Sequence, residues 1–124
     1  MEKKSKIVSY RDLIVWQKAI ELVVVVYNLT KLFPKEELYC LTSQIRRAAV
    51  SIASNIAEGR MRGSRPEFMR FLAIAYASGA ELETQIEIAK RIFPIGIEKY
   101  QETDTLLNEV QRMLNSMLAK KLIS

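Results

Sequence analysis

The sequence predicts an all-α fold: an antiparallel, up-down-up-down bundle of four helices. Three observations lead there. Apolar residues recur at spacings of three and four along four long segments. Only four glycines and three prolines occur in 124 residues, too few for the many tight turns of an all-β chain. The breaks between segments are short, which sets consecutive helices side by side and opposed in direction. A chain of this length is expected to form one domain able to bury its own core. We place a basic tail at residues 1–9 and a single four-helix-bundle domain at 10–124. No internal repeat or low-complexity segment interrupts it.

The first helix is expected over about residues 11–32. Leu13, Trp16, Ile20, Val23, Val24 and Tyr27 make one stripe. Leu22, Val25, Val26 and Leu29 make a second stripe on a different face. The valine-rich centre suits a strand by intrinsic preference, but the flanks keep the 3.6-residue period. A helix apolar on two faces must be buried on two sides. A small bundle covers one of them, so self-assembly is predicted. Pro34 closes this helix.

The second helix is expected over about 37–58, with Gly59 just past its end. Its core stripe is Leu38, Leu41, Ile45, Ala48, Ala49, Ile52 and Ile56. A polar stripe, Gln44, Arg47, Ser51, Asn55 and Glu58, runs along another face. The third helix opens on a capping box. Ser64 is placed to accept from the Glu67 amide while Glu67 reaches back, and Pro66 sits in the first turn. Phe68, Leu72, Ala75, Gly79, Leu82, Ile86, Ala89 and Phe93 then form a sustained seam before Pro94. The fourth helix is expected over about 97–121, with Tyr100, Thr103, Leu107, Val110, Leu114 and Met117 inward. Lys120 and Lys121 suit its negative C-terminal end.

Several functions are disfavoured by composition. There is no histidine, which removes the commonest general base and the usual ligands of a di-iron bundle. One cysteine builds neither a zinc site nor an iron–sulfur site. No glycine-rich phosphate loop occurs. Glu81, Glu83 and Glu87 read as a solvated or ion-paired face. No catalytic residue, metal or cofactor is assigned, and an enzyme is not expected. Cys40 excludes an internal disulfide, fits a reducing compartment and reads as a small buried apolar residue. MEKKSKIVSY does not read as a signal peptide, and the apolar run at 22–27 is too short to span a bilayer. A cytoplasmic location without membrane association is therefore expected.

The net charge of +5 and pI near 9.4 raise the expectation of a polyanionic partner. With the second and third helices folded as a hairpin, Arg47 comes level with Ser78 and within a turn of Glu81. A buried arginine must be paired, so Arg47, Ser51, Asn55, Glu58 and Glu81 are expected to form a structural polar network. Arg46 lies at the edge of the apolar stripe and points to solvent or to another subunit. Whether Arg46 and Arg47 serve structure or a ligand stays open at this level. Arg60, Arg62 and Arg65, with Arg70 a turn later, crowd the positive end of the third helix. That placement opposes the helix dipole and favours an anion, with phosphate first. Lys3, Lys4 and Lys6 form a second basic cluster, suited to contact a phosphate backbone. No aromatic platform accompanies either cluster, so recognition by shape and phosphate is expected over sequence readout.

SQIRRAAVSIASNIAEG (43–59), with YRDLIVWQKAIEL (10–22) before it and EFMRFLAIAYASGAELETQIEIA (67–89) after it, resembles the four-helix-bundle family named after the 23S ribosomal RNA intervening-sequence protein. The similarity spans roughly residues 9–120, and SIASNIAEG is its most specific part. The resemblance implies small bacterial proteins, in many cases encoded within insertions in the large-subunit ribosomal RNA gene. It also implies a homopentameric barrel and kinship with nucleic-acid-binding accessory proteins of diversity-generating retroelements. Arg46, Arg47, Asn55, Glu58 and Glu81 carry over onto this chain. AYASGAE (75–81) departs from the pattern, which has its glycine before the serine. The resulting expectation is a non-enzymatic oligomer, pentameric by preference, that binds nucleic acid, structured RNA such as 23S rRNA ahead of DNA. The alternative is a scaffold that docks a nucleic-acid-processing protein without touching nucleic acid itself.

Overall fold

The apolar periodicities become four helices whose ends are set by local chemistry. The computed structural model describes residues 9–123. Among them are α1 (Ile14–Thr30), α2 (Leu41–Met61), α3 (Arg65–Ile92) and α4 (Gln101–Ile123), with no strand. Short 3₁₀ turns at Tyr10–Asp12, Lys35–Glu37 and Ile97–Tyr100 precede α1, α2 and α4. The broadest contact joins α2 to α3; α1 lies against α2 and α4, and α3 against α4. The chain is thus all-α with four helices, as its sequence predicts. Lys3, Lys4 and Lys6 lie outside the described residues.

The third and fourth helices follow expectation closely. Ser64 accepts from the Glu67 amide at 3.3 Å. The return half of the capping box is replaced, because the Glu67 carboxylate turns to Arg70 instead. Leu72, Ala75, Gly79, Leu82, Ile86, Ala89 and Phe93 are buried, with Phe68 half-buried. In α4, Tyr100, Thr103, Leu107, Val110 and Leu114 are buried and Met117 half-buried.

The first helix settles a choice that the spacing left open, and the second differs from expectation. In α1 the buried face is Val15, Ala19, Leu22, Val26 and Leu29, whereas Ile20, Val24 and Tyr27 are exposed. Leu22, Val26 and Leu29 of the second stripe thus face the core, while Leu13, Trp16 and Val23 of the first are half-buried against it. Counting large side chains concealed Val15 and Ala19, which complete the true inner row. α2 starts later than predicted, because the chain first makes the turn at Lys35–Glu37 and the Glu37 carboxylate then accepts from the Leu41 amide at 3.4 Å. Leu38 and Cys40 therefore fall outside the helix and are exposed, not buried. At its other end α2 runs through Gly59 to Met61. Gly59 is not a terminator: a Cβ there would stand 2.5 Å from the Phe71 Cβ, so the residue lets α3 approach. Gly63, with φ of +84°, is the residue that turns the chain.

At the end of the molecule where α2 begins, rings lock two connections together. Phe33 stacks at 4.7 Å on Phe93 and lies 6.3 Å from Tyr100. The Tyr100 hydroxyl donates to the Phe93 carbonyl at 3.4 Å, and burial raises its phenol above the ordinary value of 10.0. This knot ties the segment before α2 to the segment before α4, and so helps to fix where Arg46 and Arg47 emerge.

Candidate nucleic-acid interface

α2 carries basic residues near both ends, and the two groups differ in character. Arg46 and Arg62 are 16 positions apart, or about 24 Å along a helix. At the far end, the turn after Met61 brings Arg60, Arg62 and Arg70 against the aromatic rings at the start of α3, with Arg65 exposed at its first position. The Arg60 guanidinium lies 5.9 Å from the centre of the Phe68 ring. Arg62 and Arg70 lie 4.9 and 4.5 Å from that of Phe71. Phe71 is buried, so these contacts hold the guanidinium planes over a fixed surface.

Two of the four arginines also have carboxylate partners. Arg62 pairs with Glu58 at 2.8 Å and Arg70 with Glu67 at 3.1 Å. The Arg70 hydrogen bond holds the Glu67 carboxyl below its ordinary 4.5, and Glu67 raises Arg70 in return. Both pairs are solvent-exposed, and such pairs add little to stability. A phosphate can therefore replace either carboxylate at little cost. Arg60 and Arg65 have no carboxylate partner among the described residues, and Arg65 opens α3, where free amides add positive potential.

The other group lies where the end of α1 meets the start of α2. Arg46 donates through Nε to the Thr30 hydroxyl at 2.8 Å, and its guanidinium lies 4.5 Å from the centre of the Tyr27 ring. Arg47 is exposed and makes no hydrogen bond or ion pair among the described residues. Both line a shallow depression of about 450 Å³ with Tyr27, Leu38, Tyr39, Ser43 and Val50.

The expected polar network is therefore only partly assembled. Ser51 and Ser78 share a hydrogen bond of 2.9 Å, and the Asn55 amide donates to the Ser51 carbonyl at 2.8 Å and to its hydroxyl at 3.0 Å. Arg47, Glu58 and Glu81 stand apart from it. Glu58 is taken by Arg62, while Glu81 accepts only a long contact, 3.4 Å, from Gln85. Arg47 is exposed, so it carries no burial penalty that would demand an ion pair. Sequence reasoning missed the tyrosines beside Arg46 and Arg47, because Tyr27 read only as one member of an apolar stripe and Tyr39 belonged to no stripe. It also missed Arg11, which lies over the rings of Tyr10 and Trp16 at 5.5 and 5.6 Å. Among the described residues no group of three or more histidine, cysteine or carboxylate side chains could hold a metal ion, and no helix is long and apolar enough to cross a membrane.

Fold and surface together define a class: a small basic protein of four helices, with arginines at two places along its second helix. The chain belongs to the 23S rRNA-intervening sequence protein family, whose model matches residues 11–116. Among solved structures it is similar to a protein of unknown function from the S23 ribosomal protein family of Bacteroides thetaiotaomicron. That similarity has 29% identity and a TM-score of 0.77, and covers 85% of this chain and 98% of the other. No curated protein matches it.

Proposed function

We propose that this protein is a non-enzymatic, cytoplasmic oligomer that binds nucleic acid, structured RNA ahead of DNA, through its arginines. The observation that carries this reading is the cluster at the start of α3. Arg60 and Arg65 lack carboxylate partners, and Arg62 and Arg70 hold theirs only in weak exposed pairs. The described residues form one antiparallel bundle in this reading. The pairing of Ser51 with Ser78 and of Gly59 with Phe71 supports that path, since one number rises as the other falls.

Self-assembly belongs to the same reading. Ile20, Val24 and Tyr27 line the outer face of α1, and Ile74, Ile88 and Ile92 that of α3. Two separate apolar faces suit a ring better than a simple dimer, because a head-to-tail interface joins different surfaces. A pentamer would carry a charge of about +25, which favours a polyanion at low salt. The competing reading is a scaffold that docks a nucleic-acid-processing protein, and the exposed isoleucines of α3 are the observation in its favour.

A filter-binding salt titration on a folded RNA separates the two. Changing Arg60, Arg62 and Arg65 together to Gln should flatten the slope of log affinity against log salt by about two to three units. An unchanged slope removes the cluster from the interface. No binding by the unaltered protein at moderate salt favours the scaffold.

A further inference from the structure

We infer that the depression between the end of α1 and the start of α2 holds an unpaired nucleotide of a bound strand, with Tyr39 as the stacking surface and Arg47 as the phosphate contact. This inference rests on the nucleic-acid reading above and adds a ligand class to it: single-stranded rather than helical segments. Tyr39 is 90% exposed, so nothing in the bundle requires an aromatic ring at that position. It precedes α2, and shares the depression with two guanidinium groups and a second tyrosine. No carboxylate lines that depression, and the nearby Glu37 carboxylate is engaged by the Leu41 amide.

The parts have separate tasks. Arg46 is held by Thr30 and by the Tyr27 ring, so it forms a fixed positive wall. Arg47 is exposed and unpaired among the described residues, and so is available to an incoming phosphate. Ser43 offers a hydroxyl to a base edge or a sugar. Unpaired bases stack on exposed aromatic rings, whereas a duplex keeps its bases inside and presents only backbone. The start of α2 would thus take unstacked bases, and the arginines at the start of α3 the backbone.

Fluorescence anisotropy compares a labelled oligouridine with a blunt RNA duplex on the full-length protein. Tyr39→Ala should weaken oligouridine binding about tenfold, and leave both the duplex affinity and the salt slope unchanged. Tyr39→Phe should retain binding. Ultraviolet crosslinking of oligouridine to the unaltered protein should mark the tryptic segment 36–46. Oligouridine affinity unaffected by Tyr39→Ala, or a crosslink confined to other segments, overturns the inference while the nucleic-acid reading stands. If Tyr39→Ala lowers the assembly mass in light scattering, the depression is filled by a second copy of this chain and the inference is equally lost. If the unaltered protein binds neither RNA, the nucleic-acid reading itself fails and takes this site with it.

Discussion

Single residues show how environment, not identity, sets a role. Two tyrosines illustrate it: Tyr39 is almost fully exposed, while Tyr100 is buried with its hydroxyl on the Phe93 carbonyl. Burial disfavours the tyrosinate, so the folded value of Tyr100 is raised. A raised folded value means a stabilisation that is complete below the unfolded pKa near 10.0 and lost as pH rises through the folded one. An absorbance titration of tyrosinate should therefore contain a late step, and Tyr100→Phe should abolish it. Persistence of the late step in the variant would mean another ring is responsible. Arg46 and Arg47 make the same point. Adjacent in sequence, one is held by a hydroxyl and a ring and the other is open to solvent.

At the level of elements, the helix contacts depend on small residues. Gly59 meets Phe71 at its Cβ, next to the α3 backbone, where nothing can yield. Gly59→Ala should destabilise by about 1–3 kcal/mol through overpacking, read as a lower midpoint in urea. Gly79 instead faces the end of the Gln111 side chain, whose amide donates to the Tyr76 carbonyl at 3.0 Å. That side chain can swing away, and alanine gains about 0.5–1 kcal/mol in a helix. Gly79→Ala should therefore cost less than Gly59→Ala, and the reverse order would refute this account. Ser64→Ala removes the one side-chain cap of α3 and should cost about 1 kcal/mol. Ser64→Asp should restore most of it, since aspartate caps as well and suits the positive helix end. The Ser64 cap and the long seam of α3 were legible in the sequence, because both are local patterns; the return half of the capping box was not, since Arg70 takes the Glu67 carboxylate. The role of Gly59 was not, since a terminating glycine and a contact glycine read alike until the facing residue is known.

For the whole molecule, the question is what covers the outer apolar faces. Val24, 55% exposed, sits among Ile20 and Tyr27 on α1. Val24→Lys should reduce the assembly to a 14.3 kDa monomer in light scattering without changing helix content by circular dichroism. A monomeric unaltered protein would remove self-assembly from the proposed function. The basic surface belongs to this scale too: in the proposed ring, repeating the cluster would raise the local potential offered to a phosphate chain.

Helical periodicity, the prolines, the Ser64 cap and the arginine-rich turn determine, without any coordinates, that this chain makes four helices and gathers positive charge between the second and third. These are properties of neighbours along the chain, and spacing alone reveals them. Which stripe of α1 faces inward, which glycine terminates and which admits a neighbour, and which arginine meets a carboxylate were decided only by the tertiary structure. Each depends on what stands opposite, and small residues such as Val15, Ala19 and Gly59 settle that by how closely they let helices approach.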